Sequence, residues 1–188
     1  MKKITNKAVF FDRDGTIIEE KNYITTVSDI RIYDYVAEGL LELKKRGYRL
    51  FMVSNQSGVA RGYMAIDTVR SINDEINRRL SKSNVMFDDI FFCPHYPLGI
   101  IKEYTIQCSC RKPEIGMALK ASQIYNLDLK KCFMVGDKRT DMDFGIRFKA
   151  RGNILVTTGY GKEKMDYGGI DYVVGSVYEA CKIICEKY

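Results

Sequence analysis

Asp12 and Asp14 stand one residue apart, directly after the apolar run Ala8-Val9-Phe10-Phe11 and just before Gly15. Carboxylates that close repel, so one must take up a proton or the two must share a cation. At the carboxyl end of a buried strand, where ligands of open α/β sheets gather, such a pair suits nucleophilic and proton-transfer chemistry. Two more polar clusters follow apolar runs directly, Ser54-Asn55-Gln56-Ser57-Gly58 and Gly136-Asp137-Lys138, and the Cys/His loop after a third run leads to Arg111-Lys112-Pro113. Phosphoryl transfer needs a nucleophile, a proton shuttle, oxygen ligands for a hard cation, and cations or hydroxyls around the moving oxygens. The four clusters supply each of these. Taken singly, Lys112 could be a surface lysine before a helix and Asp137 a helix cap. Asp141, one helical turn further on, is left open between a cap and a metal contact.

Cys93-x-His95 and Cys108-x-Cys110 place three thiols and the single histidine in two close pairs around a stretch without clear period. Four N/S ligands so spaced match a closed tetrahedral Zn²⁺ site, which can hold a long loop that has no core of its own. With every position taken by protein, the zinc would be structural. The competing readings are unmetallated side chains or a disulfide, the latter at odds with a reducing cytoplasm. Cys132, Cys181 and Cys185 lie on apolar patterns and are expected in the core.

The elements that must carry these clusters alternate strand and helix. Ala8–Phe11 is a buried strand, and 17–33 has no helical period and is expected to be an extended flap or hairpin beside the acids. Asp34 can cap a helix through about Arg46, with Val36, Leu40 and Leu43 inward and Gly47 as its stop. Tyr48–Val53 reads as a strand, and Val69, Ile72, Ile76 and Leu80 share a helix face. Asp89–Phe92 is a third strand, followed by an irregular loop over 93–110. The next helix starts near Glu114 and carries Met117, Ala121 and Ile124 inward. Cys132–Val135 is a strand before a helix from about Thr140. Asn153–Val156 and 172–174 complete the sheet, and 176–187 is a last helix packing Val177, Cys181 and Ile184. Repeated strand-helix units predict a mostly parallel sheet covered on both faces, with every polar strand end at one edge.

With 188 residues, the chain suits one domain spanning 1–188. A hydrophobic fraction of 46% and a charged fraction of 29% are ordinary for a globular protein, and no apolar stretch is long enough to cross a bilayer. Met1-Lys2-Lys3 carries a signal-like charge but no apolar segment follows it, so the cytoplasm is the expected location. The net charge of +6 favours anionic ligands, yet the basic residues are scattered. A small phosphate ester fits that balance. A zinc-stabilised nucleic-acid binder does not, since no aromatic and basic stripe appears and a binder has no use for Asp12 and Asp14.

Phe-Phe-Asp12-Arg-Asp14-Gly-Thr, Val-Ser54-Asn-Gln-Ser-Gly, Arg111-Lys112-Pro and Val-Gly-Asp137-Lys-Arg-Thr-Asp141 resemble the four ordered motifs of the haloacid dehalogenase (HAD) phosphatase superfamily, over residues 8–160. The resemblance implies a three-layer α/β/α Rossmann-like fold and a role for each position. Asp12 would attack phosphorus, Asp14 would protonate the leaving oxygen and then activate water, and Ser54 and Lys112 would hold the phosphoryl oxygens. Asp12, the Asp14 backbone carbonyl and Asp137 would bind Mg²⁺.

Within the superfamily, the Cys-x-His and Cys-x-Cys-Arg-Lys-Pro loop together with Asn-Gln-Ser-Gly-Val-Ala-Arg61-Gly is similar to the D-glycero-D-manno-heptose-1,7-bisphosphate 7-phosphatases. The histidinol-phosphate phosphatases, relatives with a shorter insert, are the alternative. No room remains for a cap domain. A small phosphorylated sugar would therefore be selected by Glu20, Lys21, Asn22 and Tyr23 of the flap, by Ser54, Asn55, Gln56 and Ser57, and by Arg111 and Lys138. Arg111 could grip a second phosphate as a bidentate fork, and Arg61 is open between that task and a surface role. Tyr96 departs from the usual Cys-Pro-His-His pattern. A monomer is expected.

Overall fold

The computed structural model describes residues 6–162 and 168–188. The reading of Met1-Lys2-Lys3 lies outside them. Six strands form one sheet: β1 (Ala8–Phe11), β2 (Arg49–Asn55), β3 (Asp89–Cys93), β4 (Phe133–Gly136), β5 (Gly152–Val156) and β6 (Tyr172–Val174). Their order is β3-β2-β1-β4-β5-β6 and all five pairings are parallel.

Side chains alternate across β1, so Val9 and Phe11 enter one core and Ala8 and Phe10 the other. The first core is closed by α1 (Val36–Lys45), α2 (Ile66–Ser81) and α5 (Val177–Lys187) through Leu40, Leu43, Ile72, Ile76, Cys181 and Ile184. The second is closed by α3 (Gly116–Tyr125) and α4 (Arg139–Arg147) through Met117, Ala121, Met142 and Phe144. Phe10 stacks on Phe51 at 5.4 Å and meets Phe148 edge-on at 5.4 Å. This is the three-layer α/β/α fold, and among the described residues no separate cap stands over the sheet's carboxyl edge. No described helix is long and apolar enough to cross a membrane.

Two helix ends differ from expectation. Asp34 does not cap α1. Tyr35 takes that position in a left-handed conformation (φ 61°) with no side-chain hydrogen bond, and the helix begins at Val36. In α3, which begins at Gly116 rather than Glu114, Ile124 is exposed and Tyr125 turns inward. The tyrosine ring lies 4.9 Å from Phe51 while its hydroxyl donates to Asp89 at 3.2 Å, a combination that an isoleucine cannot make.

Residues 17–33 form a flap whose two ends pair at Ile18 and Ile32, with a short 3-10 turn at Val27–Asp29 between them. Glu19 N–H donates to Arg31 O and Tyr33 N–H to Ile17 O, while Ile17, Ile18, Ile24 and Ile30 are buried. The buried isoleucines fix the root of this flap to the first core and leave Glu20 to Tyr23 over the carboxyl edge of the sheet. The strand order reverses between β1 and β4, with β2 and β3 laid down on one side and β5 and β6 on the other, the switch point where α/β sheets open a crevice. Asp12 and Asp137 each follow one of those two strands, and the Asp12 N–H is tied to Val135 O at 2.9 Å.

Candidate active site

Lys112 is the centre of the crevice. Its Nζ lies 2.6 Å from Asp12 Oδ1 and 2.6 Å from Asp141 Oδ1, and it donates to Val53 O at 2.8 Å. All three charged side chains are almost wholly buried, so the ion pairs act in a medium that screens them weakly. What holds Lys112 there is Asn55. Its amide donates to Lys112 O and its Oδ1 accepts from Lys112 N–H, both at 2.9 Å. Asn55 therefore clamps the segment that delivers Lys112, besides lining the cavity.

Burial works against charge on Asp12, but Lys112 and Lys138 outweigh it and hold the carboxyl below its ordinary range. Burial would likewise lower Lys112, and the carboxylates of Asp12 and Asp141 reverse the sign. Asp137 has no lysine ion pair among the described residues. Burial first, then the Asp12 charge, pushes it up to about 8, and the Lys138 charge only partly opposes the shift. Asp141 moves upward for the same reasons. Its Oδ2 accepts from Lys138 N–H at 3.0 Å, so this side chain both caps α4 and pairs with Lys112.

Asp12, Asp137 and Asp141 each offer an oxygen within 4.8 Å of the others. Of these three, Asp137 is the one without a lysine ion pair among the described residues, since Lys112 pairs with Asp12 and Asp141 and Lys138 with Glu20. Crowded hard oxygens around an unpaired, uphill carboxyl fit a divalent cation of the Mg²⁺ type, whose charge would bring Asp137 back down. Two glycines make room for it. A Cβ at Gly15 (φ +83°) would sit 2.2 Å from Asp137 Oδ2, and one at Gly159 (φ +56°) 2.3 Å away. Tyr160 N–H donates to the same oxygen at 2.9 Å.

The crevice opens into a cavity of about 470 Å³ lined by Asp12, Asp14, Lys112 and Asp141, a size suited to a small ligand. Of the flap residues, Glu20, Asn22 and Tyr23 line it. Lys21 does not, and its ammonium donates to Asp29 O along the flap itself. Gln56, Ser57, Arg111 and Lys138 line it as well, and Thr140 and Tyr160 join them without having been expected from sequence. Ser54 is not among the lining residues; it is buried near the end of β2, its Oγ without a partner among the described residues. Arg111 donates to His95 O at 3.1 Å, while Arg61 lies over the Tyr96 ring at 4.0 Å, away from the lining.

The thiols of Cys93, Cys108 and Cys110 lie 3.1 to 3.5 Å apart, and His95 Nδ1 is 3.3 Å from Cys110 Sγ and 3.7 Å from Cys93 Sγ. Ligands on a tetrahedral Zn²⁺ sit about 3.6 to 3.8 Å from one another, so the set needs only slight expansion. No cysteine is in a disulfide. Cys132 and Cys181 are buried, and Cys185 is half-buried against the first core.

A relative from Haemophilus influenzae, D-glycero-beta-D-manno-heptose-1,7-bisphosphate 7-phosphatase, is 39% identical over 95% of this chain and 97% of its own. The chain belongs to the heptose-1,7-bisphosphate 7-phosphatase family of HAD-like hydrolases. A Photorhabdus laumondii family member is 40% identical over 81% of each chain. The HAD-hydrolase-like family model matches residues 109–180. The structure of D,D-heptose 1,7-bisphosphate phosphatase from B. bronchiseptica, complexed with magnesium and phosphate, shares the fold, with TM-score 0.85 over 97% of this chain and 99% of that one at 24% identity. This heptose-phosphatase chain also buries Arg13 beside Asp14 and Asn73 against Arg13, two residues that sequence reasoning passed over. An arginine lodged between two acids was the available signal.

Proposed function

We propose that this phosphatase removes the 7-phosphate of D-glycero-D-manno-heptose 1,7-bisphosphate through an aspartyl-phosphate on Asp12, acting as a single 188-residue unit, a cytoplasmic monomer without nucleic-acid or membrane partners. The observation that carries the reading is one ionised carboxylate, Asp12, pinned by buried Lys112 at the floor of a cavity of about 470 Å³. The near-full-length relatives named for this activity supply the sugar.

Lys112 holds Oδ1 of Asp12, and the carboxylate attacks phosphorus through its other oxygen. As that oxygen bonds to phosphorus, Asp14 gives its proton to the leaving alkoxide, then takes one from the water that frees phosphate. The three Lys112 protons already face Asp12, Asp141 and Val53 O, so an arriving phosphoryl oxygen must displace one of them. The unpartnered Ser54 Oγ is a ready donor to a second oxygen. Mg²⁺, held by Asp12, Asp137 and the Asp14 carbonyl oxygen, would neutralise the carboxylates and the charge spread over the phosphoryl oxygens. Arg111 and Lys138 face the rest of the substrate.

The test is phosphate release from the α and β heptose bisphosphates and from histidinol phosphate, compared as kcat/KM. Either heptose ester is expected to lead, and preference for histidinol phosphate would overturn the assignment. The zinc site is a separate expectation: protein purified without added metal carries one zinc per chain at Cys93, His95, Cys108 and Cys110. Metal analysis decides it, and a folded, active, zinc-free enzyme would contradict it.

A further inference from the structure

Arg13 is a guanidinium buried to 1% exposure whose only ion-pair partner among the described residues is Asp14. Its Nε lies 3.1 and 3.2 Å from the two Asp14 oxygens and its Nη2 3.1 Å from Oδ1. The other donors are fixed too, Nη2 by Gln56 Oε1 at 2.8 Å and Nη1 by Asn73 Oδ1 at 3.1 Å on α2. Gln56 then donates its Nε2 to Asp14 Oδ2 at 2.8 Å. Only one orientation of that amide satisfies both contacts, since the oxygen must face Arg13 and the nitrogen Asp14. Both oxygens of the Asp14 carboxylate are thereby held in place where the side chain lines the cavity.

We propose that Arg13, locked by Asn73 and Gln56, is a positioning residue that aims the Asp14 carboxyl at the leaving oxygen. The inference rests on the reading of Asp14 as the proton donor. In that step the P–O bond to the sugar breaks, the Asp12–phosphorus bond forms, and the alkoxide takes the Asp14 proton. An isolated buried arginine and acid give little net stability, which makes a bare folding role a poor account of four converging contacts. Positioning predicts something that folding does not, namely a dependence on the leaving group. An alkoxide needs the proton, whereas 4-nitrophenolate departs without it.

The experiment measures kcat and KM of Arg13→Met, Asn73→Leu and Asp14→Asn on heptose bisphosphate and on 4-nitrophenyl phosphate. Arg13→Met is expected to lower kcat on the sugar ester about 100-fold with KM unchanged, and on the aryl ester by no more than about threefold. Asn73→Leu follows the same pattern with a loss of about tenfold. Arg13→Lys keeps the charge but not the fork, and does not restore turnover of the sugar ester. In an Asp14→Asn background, Arg13→Met adds almost nothing, because the two act as one unit. Equal losses on both esters, or additive losses in the double variant, would overturn the inference. Asn73→Leu is judged by the same ratio if Arg13→Met does not fold. Should Asp14→Asn itself lose nothing on the sugar ester, the reading of Asp14 fails instead, so the two failures are distinguishable.

Discussion

Asp12→Asn is expected to reduce phosphate release by at least about 10⁴-fold while the protein still folds. The amide keeps the volume and can still accept from Lys112, but its neutral oxygen lacks the charge and the nucleophilicity needed to bond phosphorus. Lys112 retains Asp141 as a partner and its backbone stays clamped by Asn55, so the crevice need not collapse. Asp137 and Asp141 also lose the Asp12 charge that helps drive both of them upward. Phosphate release and thermal melting together check the expectation. Substantial turnover in a verified Asp12→Asn preparation would remove the nucleophile from this account.

Lys112→Met should be the most damaging single change to fold and activity together. It leaves three buried carboxylates with no lysine between them, and breaking a buried pair from one side costs about 3–5 kcal/mol. On the proposed mechanism it also deletes a donor to the phosphoryl oxygens, a loss worth about 10²–10³-fold in kcat. The two effects separate experimentally. Urea unfolding with and without Mg²⁺ should show the stability loss shrinking when the metal is present, because a divalent cation can replace part of the missing charge. Adding Asp141→Asn to Lys112→Met should recover stability, since one of the stranded acids is then neutral. A Lys112→Met protein as stable as the parent in the absence of metal would contradict the buried network.

Much of the fold was legible because β1, β2, β4 and β5 are buried on both faces and their apolar runs announce it. The polar residues at strand ends were legible for the same reason, as each interrupts such a run. What periodicity could not show was side-chain direction. Asn55 and Gln56 were expected to meet the ligand, and both line the cavity, yet their amides are also committed to Lys112, Asp14 and Arg13 across 42 to 57 residues of sequence. Lys21 was grouped with its flap neighbours, but the left-handed Asn22 (φ 59°) breaks any regular alternation there, and the Lys21 ammonium finds Asp29 O. Ile124 and Tyr125 fit the helical pattern almost equally well, and the hydroxyl contact to Asp89 decided between them. The left-handed residue before α1 left no trace in a sequence that offered Asp34 as a ready cap.

The central claim is that Asp12 carries the phosphoryl group during turnover. Acid quenching of the enzyme while it consumes heptose bisphosphate, followed by mass spectrometry of its peptides, tests that claim without any substitution. A single phosphoryl group on Asp12 is the predicted result, and phosphate release proceeding with that peptide unmodified, or with the group on another residue, would contradict it.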